Sequence, residues 1–184
     1  FKLFLTKILF GAILVFLSSF LIISILTNNP NDPGIGKITS QKEVVNFFGF
    51  WGSIISSFFL VIFGRLSLII FAFIFYIGVK FCLGIVSKKN LIKFFLVIFA
   101  TLLFDVSLFL QEINIFKAGL LSNFTFDILM YYLPTIFSIF LYKAIISYLI
   151  IIVSIFLIVF SFSIKNYFLK IIFRKILNTN FLVL

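Results

Sequence analysis

Residues Ile8 to Leu26 run for 19 positions without a charged side chain. As a helix rising about 1.5 Å per residue, this segment is roughly 28 Å long, enough to cross the hydrocarbon core of a bilayer. Further apolar runs follow from Leu66, from Phe94 and after Pro134. In lipid each backbone amide must be satisfied within the protein, so a chain of such runs is restricted to helices. Composition agrees: 64% of the 184 residues are apolar and the mean hydropathy is +1.34, far outside the range of a soluble domain. The expected class is an all-α integral membrane protein with spans at about 8–26, 66–86, 94–110 and 135–164. No small-residue cleavage site follows Leu26, so the first run reads as a span and not as a signal peptide. The 31 phenylalanines read as compositional bias.

The long interruption between the first two spans, Leu26 to Gly64, organises the rest. Pro30, Asp32, Pro33 and Gly34 crowd into a few residues, which ends the first helix and favours tight turns. Asn46 to Gly64 carries no charge yet spaces Gly49, Ser53 and Ser57, and also Gly52 and Ser56, four apart. On a helix this makes a narrow face of small residues. Arg65 alone separates this stretch from Leu66, too little for an antiparallel turn. The stretch at about 46–63 therefore reads as an interfacial or re-entrant helix, against the alternative of one tilted helix from Val44 to Val86. In the second half Gly119, Asn123, Asp127 and Tyr131 recur at four-residue spacing before Pro134, which predicts a second short helix at about 118–133. Two units of span, outer loop, interfacial helix and returning span result.

Charge sorts by this topology. One side receives Lys2, Lys7, Lys80, Lys88, Lys89, Lys93, Lys165, Lys170, Arg174 and Lys175, and no acid. The other receives Lys37, Lys42, Arg65, Lys117 and Lys143 with Asp32, Glu43, Asp105, Glu112 and Asp127. The net +10 thus falls on one face, and the positive-inside rule puts both termini in the cytoplasm and the Pro-rich turn outside. Residues 1–164 form the expected membrane domain, and 165–184 a basic amphipathic segment. Lys88 and Lys89 of the first and Lys170, Arg174 and Lys175 of the second are the expected inner-leaflet contacts.

Candidate chemistry is sparse. A single cysteine, Cys82, and no histidine exclude an internal disulfide and argue against a soft-metal centre. Asp105 is the acid inside a span, and an intramembrane carboxylate is a functional candidate by default. The preferred account is an ion pair with Lys143 or Arg65; proton or ion coupling is the alternative. GIGKIT at Gly34 to Thr39 lacks the earlier glycine and the Ser or Thr after Lys37 that a phosphate loop needs. Lys80 reads as snorkelling and Trp51 as an interface anchor. With no nucleophile-base pair or paired carboxylates, nothing in these residues points to an enzyme.

The turn NPNDPG, then Asn46-x-x-Gly49-x-x-Gly52-Ser53, then Phe63-Gly64, resembles the membrane domain of the FtsK-family (FtsK/SpoIIIE-like) bacterial DNA translocases. There a span ends in NP.DP, and a polar loop leads to N..G..GA..AD.L...FG. This chain has Ser56-Ser57 where the family usually has Ala-Asp. The resemblance implies a four-span membrane anchor at the division septum of the inner membrane. It also implies contacts with other division proteins and a cytoplasmic linker leading to a hexameric motor that uses ATP and magnesium to pump DNA. The chain starts at Phe1 and is expected to be a fragment, with ATP and DNA binding in the missing part and no cofactor here. Pro30, Asp32, Pro33, Gly49, Gly52 and Gly64 are expected to shape the outer surface. A small transporter or channel lined by Asp105, Lys143 and Arg65, or a stand-alone scaffold, are the competing classes.

Overall fold

The computed structural model describes residues 2–36, 43–85, 89–111, 119–132 and 140–162. The described residues form helices and connecting turns, with no strand: α1 (Lys2–Leu26), α2 (Gly49–Phe63), α3 (Ser67–Cys82), α4 (Asn90–Leu110), α5 (Leu120–Tyr132) and α6 (Phe140–Ser161). Leu5–Leu26, Asn90–Leu110 and Tyr142–Ser161 are each long and apolar enough to cross a membrane. Helices α2 and α3 reach that length only together, and they meet at a 110° bend.

Packing shows how the crossings are arranged. Helix α3 lies antiparallel along α1, with Gly11 against Gly78 and Cys82. A Cβ on Gly78 would meet the Val15 amide nitrogen at 2.9 Å and the Gly11 carbonyl oxygen at 3.0 Å, so the two backbones touch in the manner of small-residue membrane packing. Helices α4 and α6 pair in the same sense: Gln111 Nε2 donates to Ser147 Oγ at 2.9 Å, and Val106 and Leu110 pack on Ile146 and Ile150. The pairs join where Ile70 and Phe73 of α3 meet Val97 of α4. Phe162, just past α6, closes this core with its ring centroid 5.2 Å from that of Phe73. Helix α3, with 16 residues, is therefore the arm of the bent α2–α3 pair that runs along α1 and supplies the fourth candidate crossing, and the start of α1 and the end of α6 share one end of the bundle.

The bundle is apolar outside and polar within. Phe16, Ile152 and Phe156 are more than half exposed, whereas Ser18, Ser24, Ser67, Ser107, Ser122, Ser147, Ser154 and Ser161 are buried. Most of these serines donate to a carbonyl one turn back, as Ser18 does to Leu14 at 2.6 Å and Ser107 to Phe104 at 2.6 Å. A hydroxyl satisfied by its own helix can be buried without a partner elsewhere, and its small size lets neighbouring helices approach.

The short helices occupy equivalent places. Helix α2 packs on α1 and α5, and α5 packs on α4 and α2. At their junction the Gly119 backbone abuts Ile62 and Gly64 so closely that a Cβ at 119 would overlap the Ile62 carbonyl.

Helix limits differ from the hydropathy runs in instructive ways. Helix α4 begins at Asn90, ahead of the apolar run, because hydrogen bonding and not polarity sets a helix boundary. Helix α3 ends at Cys82 and not near Val86: Ile85 N–H donates to the Lys80 carbonyl at 2.8 Å and Gly84 N–H to Phe81 at 3.0 Å. With Gly84 at φ +74°, this is a glycine-terminated Schellman turn. Residues 133–139, where the fourth span was expected to start, lie outside the described set. So do Lys88, Lys170, Arg174, Lys175 and the whole 165–184 segment.

Candidate functional site

At the end of α1, Thr27 Oγ1 donates to the Ile23 carbonyl at 2.8 Å. The chain then turns back on itself: Asp32 N–H donates to the Asn29 carbonyl at 3.1 Å and Asn31 N–H to Asn29 Oδ1 at 3.0 Å. This turn buries the Asp32 carboxylate to 1% exposure. Its Oδ1 accepts Val45 N–H at 2.9 Å and its Oδ2 accepts Asn46 N–H at 2.9 Å. Both oxygens are thus engaged by backbone amides of the segment entering α2, the kind of partner that makes a buried carboxylate tolerable.

Asn46 completes the clasp. Its Nδ2 donates to the Ser24 carbonyl at 2.8 Å, one of the orphan acceptors in the last turn of α1. Its Oδ1 accepts Phe48 N–H at 3.1 Å, and its own carbonyl accepts Gly49 N–H at 2.8 Å. Gly49 opens α2 at φ +62°, where a side chain would be strained. Gly52 lies so close to Asn46 Oδ1 and Phe48 Cβ that any Cβ would collide with them. One asparagine therefore ties the end of the first span to the start of the short helix; Gly52 makes room for it and Gly49 supplies the positive φ.

The small-residue face of α2 grips the turn itself. Ser53 Oγ donates to the Pro33 carbonyl at 2.5 Å, Ser57 Oγ accepts Ile35 N–H at 3.0 Å, and Ser56 Oγ accepts from Asn28 Nδ2 at 2.8 Å. Gly52, Ser53, Ser56 and Ser57 are all buried there. The opposite face is aromatic and open, with Phe50 51% and Trp51 69% exposed. A helix that turns hydroxyls inward and aromatic rings outward requires an apolar medium on its outer side. At the far end Gly64, at φ +67°, donates its N–H to the Leu60 carbonyl at 3.0 Å. Its carbonyl accepts Ser67 Oγ at 2.7 Å, so the left-handed glycine is the hinge of the 110° bend.

The structure brings Asp32, Pro33, Gly49 and Gly52 into one site, with Pro30 exposed in the same turn and Gly64 at the far end of α2. It gives Asp105 a partner other than the expected Lys143 or Arg65. Asp105, 2% exposed, accepts Ser122 Oγ from α5 at 2.7 Å. Among the described residues neither Lys143 nor Arg65 is its partner, which corrects the expected ion pair. Arg65 is exposed at the bend, and Lys143 is half-buried on α6. A neutral hydroxyl on the adjoining short helix solves the same burial problem as a cation without desolvating a second charge. Lys89 sits exposed just ahead of α4.

Sequence reasoning overlooked Asn46, Asn28 and Ser122. Asn46 was visible as the first letter of the N-x-x-G-x-x-G-S run, but its reach back to Ser24 spans 22 positions and has no local signature.

The family model for the 4TM region of DNA translocase FtsK/SpoIIIE matches residues 5–172. The chain belongs to this family. The match spans both halves of the bundle, so the FtsK/SpoIIIE 4TM region includes the second unit. No curated protein and no solved structure matches the chain at a significant level.

Two paired comparisons test these contacts. Asp32→Asn places a donor against one of two backbone N–H groups and should lower unfolding stability by about 2–3 kcal/mol in detergent titration. Asp127→Asn, at an exposed position, should stay within about 0.5 kcal/mol. Ser122→Ala removes the described donor to a buried carboxylate and should cost about 1–3 kcal/mol. Asp105→Asn keeps an acceptor for Ser122 and should cost less; an ion pair with Lys143 would reverse that order.

Proposed function

We propose that this chain is the membrane anchor of an FtsK/SpoIIIE-type DNA translocase and that it holds the protein at the division septum of the cytoplasmic membrane. The observation that carries this reading is the family match over residues 5–172, laid on a bundle of four antiparallel crossings. An even number of crossings leaves both ends on one face, which suits an anchor from which a motor hangs.

Charge supports an orientation. Among the described residues, Lys7, Lys80, Lys89 and Lys93 lie toward the end of the bundle shared by its termini, and Asp32, Glu43 and Arg65 toward the other. On the positive-inside rule the termini face the cytoplasm and the clasped turn faces outward. We assign ATP, magnesium and DNA to a hexameric cytoplasmic motor, and not to the residues described here. The outward-facing turn, held in shape from beneath by the buried Asp32 and the buried serine face of α2, is the part we assign to contacts with other division proteins. It is tied to α1 by the Asn46 amide on the Ser24 carbonyl and braced by the Asp32 carboxylate on two backbone N–H groups. The transport reading finds no support in the arrangement of Asp105, Lys143 and Arg65.

A fluorescent fusion of residues 1–184 expressed in dividing bacterial cells tests the anchor role. A band at the septum is the expected result, and Asn46→Ala should disperse it while the protein stays in the membrane fraction. Even distribution of the unmodified fusion around the cell would count against septal targeting.

A further inference from the structure

Beside the bend, α1, α2, α3 and α5 enclose a cleft of about 570 Å³, within the usual range for small-molecule sites. Leu26, Leu60 and Leu120 supply apolar wall, while Arg65 and Asn123 bring polar heads to it from two different elements. Both are exposed, and neither side chain makes a hydrogen bond or ion pair among the described residues. Among the described residues of the lining Arg65 is the charged one, and Asp127, one turn further along α5, is not part of it.

The position of the cleft defines its chemistry. Leu26 is the last residue of the first crossing and Leu68 lies in the first turn of α3, so the cleft opens at the level where the apolar runs stop. In a bilayer that is the level of the lipid phosphates, with acyl chains on one side and water on the other. A guanidinium there presents a planar fork of donors matched to two phosphate oxygens, which an ammonium cannot do. The asparagine amide adds a donor that does not depend on charge.

From this geometry we propose that the cleft is a binding site for one anionic phospholipid of the leaflet on the side of the Pro-rich turn. Arg65 holds the phosphodiester, Asn123 donates to the headgroup, and an acyl chain lies against Leu60 and Leu120. A zwitterionic lipid carrying a quaternary amine binds less well, because its cation finds no acid among the described residues of the lining. Such a lipid would fill the junction between the two repeated units, joining α2 to α5 beside the Gly64 and Gly119 contact.

The test uses the full chain in phosphatidylcholine vesicles doped with phosphatidylglycerol that carries a photoreactive group next to its phosphate. Mapping the labelled peptides should place the label within 60–68 and 120–123. Arg65→Ala should reduce it about tenfold, the loss of one charge-assisted contact, and Arg65→Lys should reduce it less. Labelling by the same probe near Lys89 and Lys93, at the opposite end, should not change, which shows that the variants keep their fold. The proposal is overturned if Arg65→Ala leaves labelling intact, or if photoreactive phosphatidylcholine labels the cleft equally. It is also overturned if millimolar inorganic phosphate displaces the label, which would make the site one for free phosphate and not for lipid.

Discussion

The bond between the Asp32 carboxylate and the amides of Val45 and Asn46 holds one end of this bundle together. A carboxylate at 1% exposure is costly unless its charge is matched by donors, and two backbone N–H groups at 2.9 Å supply the match. Because the donors are backbone, the bond fixes the path of the chain and not merely a rotamer. Pro30 and Pro33 limit the conformations of the turn, the carboxylate pins the returning strand of chain, and Asn46 reaches back to the Ser24 carbonyl. The start of α2 is thereby fixed in place beside the end of α1, and the helix must leave sideways.

From that constraint the rest of the first unit follows. A helix leaving sideways at the end of a span lies among headgroups, so its inner face meets the polar turn and its outer face meets lipid. Small hydroxyls inward and aromatic rings outward are the residue types that answer these demands, and α2 has both. The return to a crossing then needs an abrupt change of direction, which the left-handed Gly64 permits. The second unit reuses the plan with different contacts: α5 lies on α4, and Ser122 satisfies a carboxylate set within the crossing and not in the turn after it.

Much of this was legible from residue types. Apolar run length identifies the membrane class, the proline-rich turn ends α1 on time, and the four-residue spacing of Gly49, Gly52, Ser53, Ser56 and Ser57 marks the face of α2 that is buried. What could not be read was partner choice. Asp105 looked for a cation because sequence shows charges and not distances, yet a serine 17 positions away was nearer in space. The early end of α3 was missed for a related reason: hydropathy runs on through Gly84, whereas helical hydrogen bonding stops there. The buried serines of the crossings were also unremarked, since a hydroxyl that bonds to its own helix leaves no trace in sequence periodicity.

Helix α2 lies across the end of the bundle at headgroup level and does not cross the hydrocarbon core. Trp51 is the single tryptophan, and Phe58 lies two turns further along the same exposed face. Quenching by lipids brominated near the headgroup or near the chain end would give the depth of Trp51 in the native chain. The same measurement on a Trp51→Phe, Phe58→Trp variant gives the depth of the second position. A helix within about 20° of the membrane plane, as the 110° bend implies for an upright α3, puts the two at nearly equal, shallow depths. A helix that crosses would set the second position about 10 Å deeper, and that result would contradict the account.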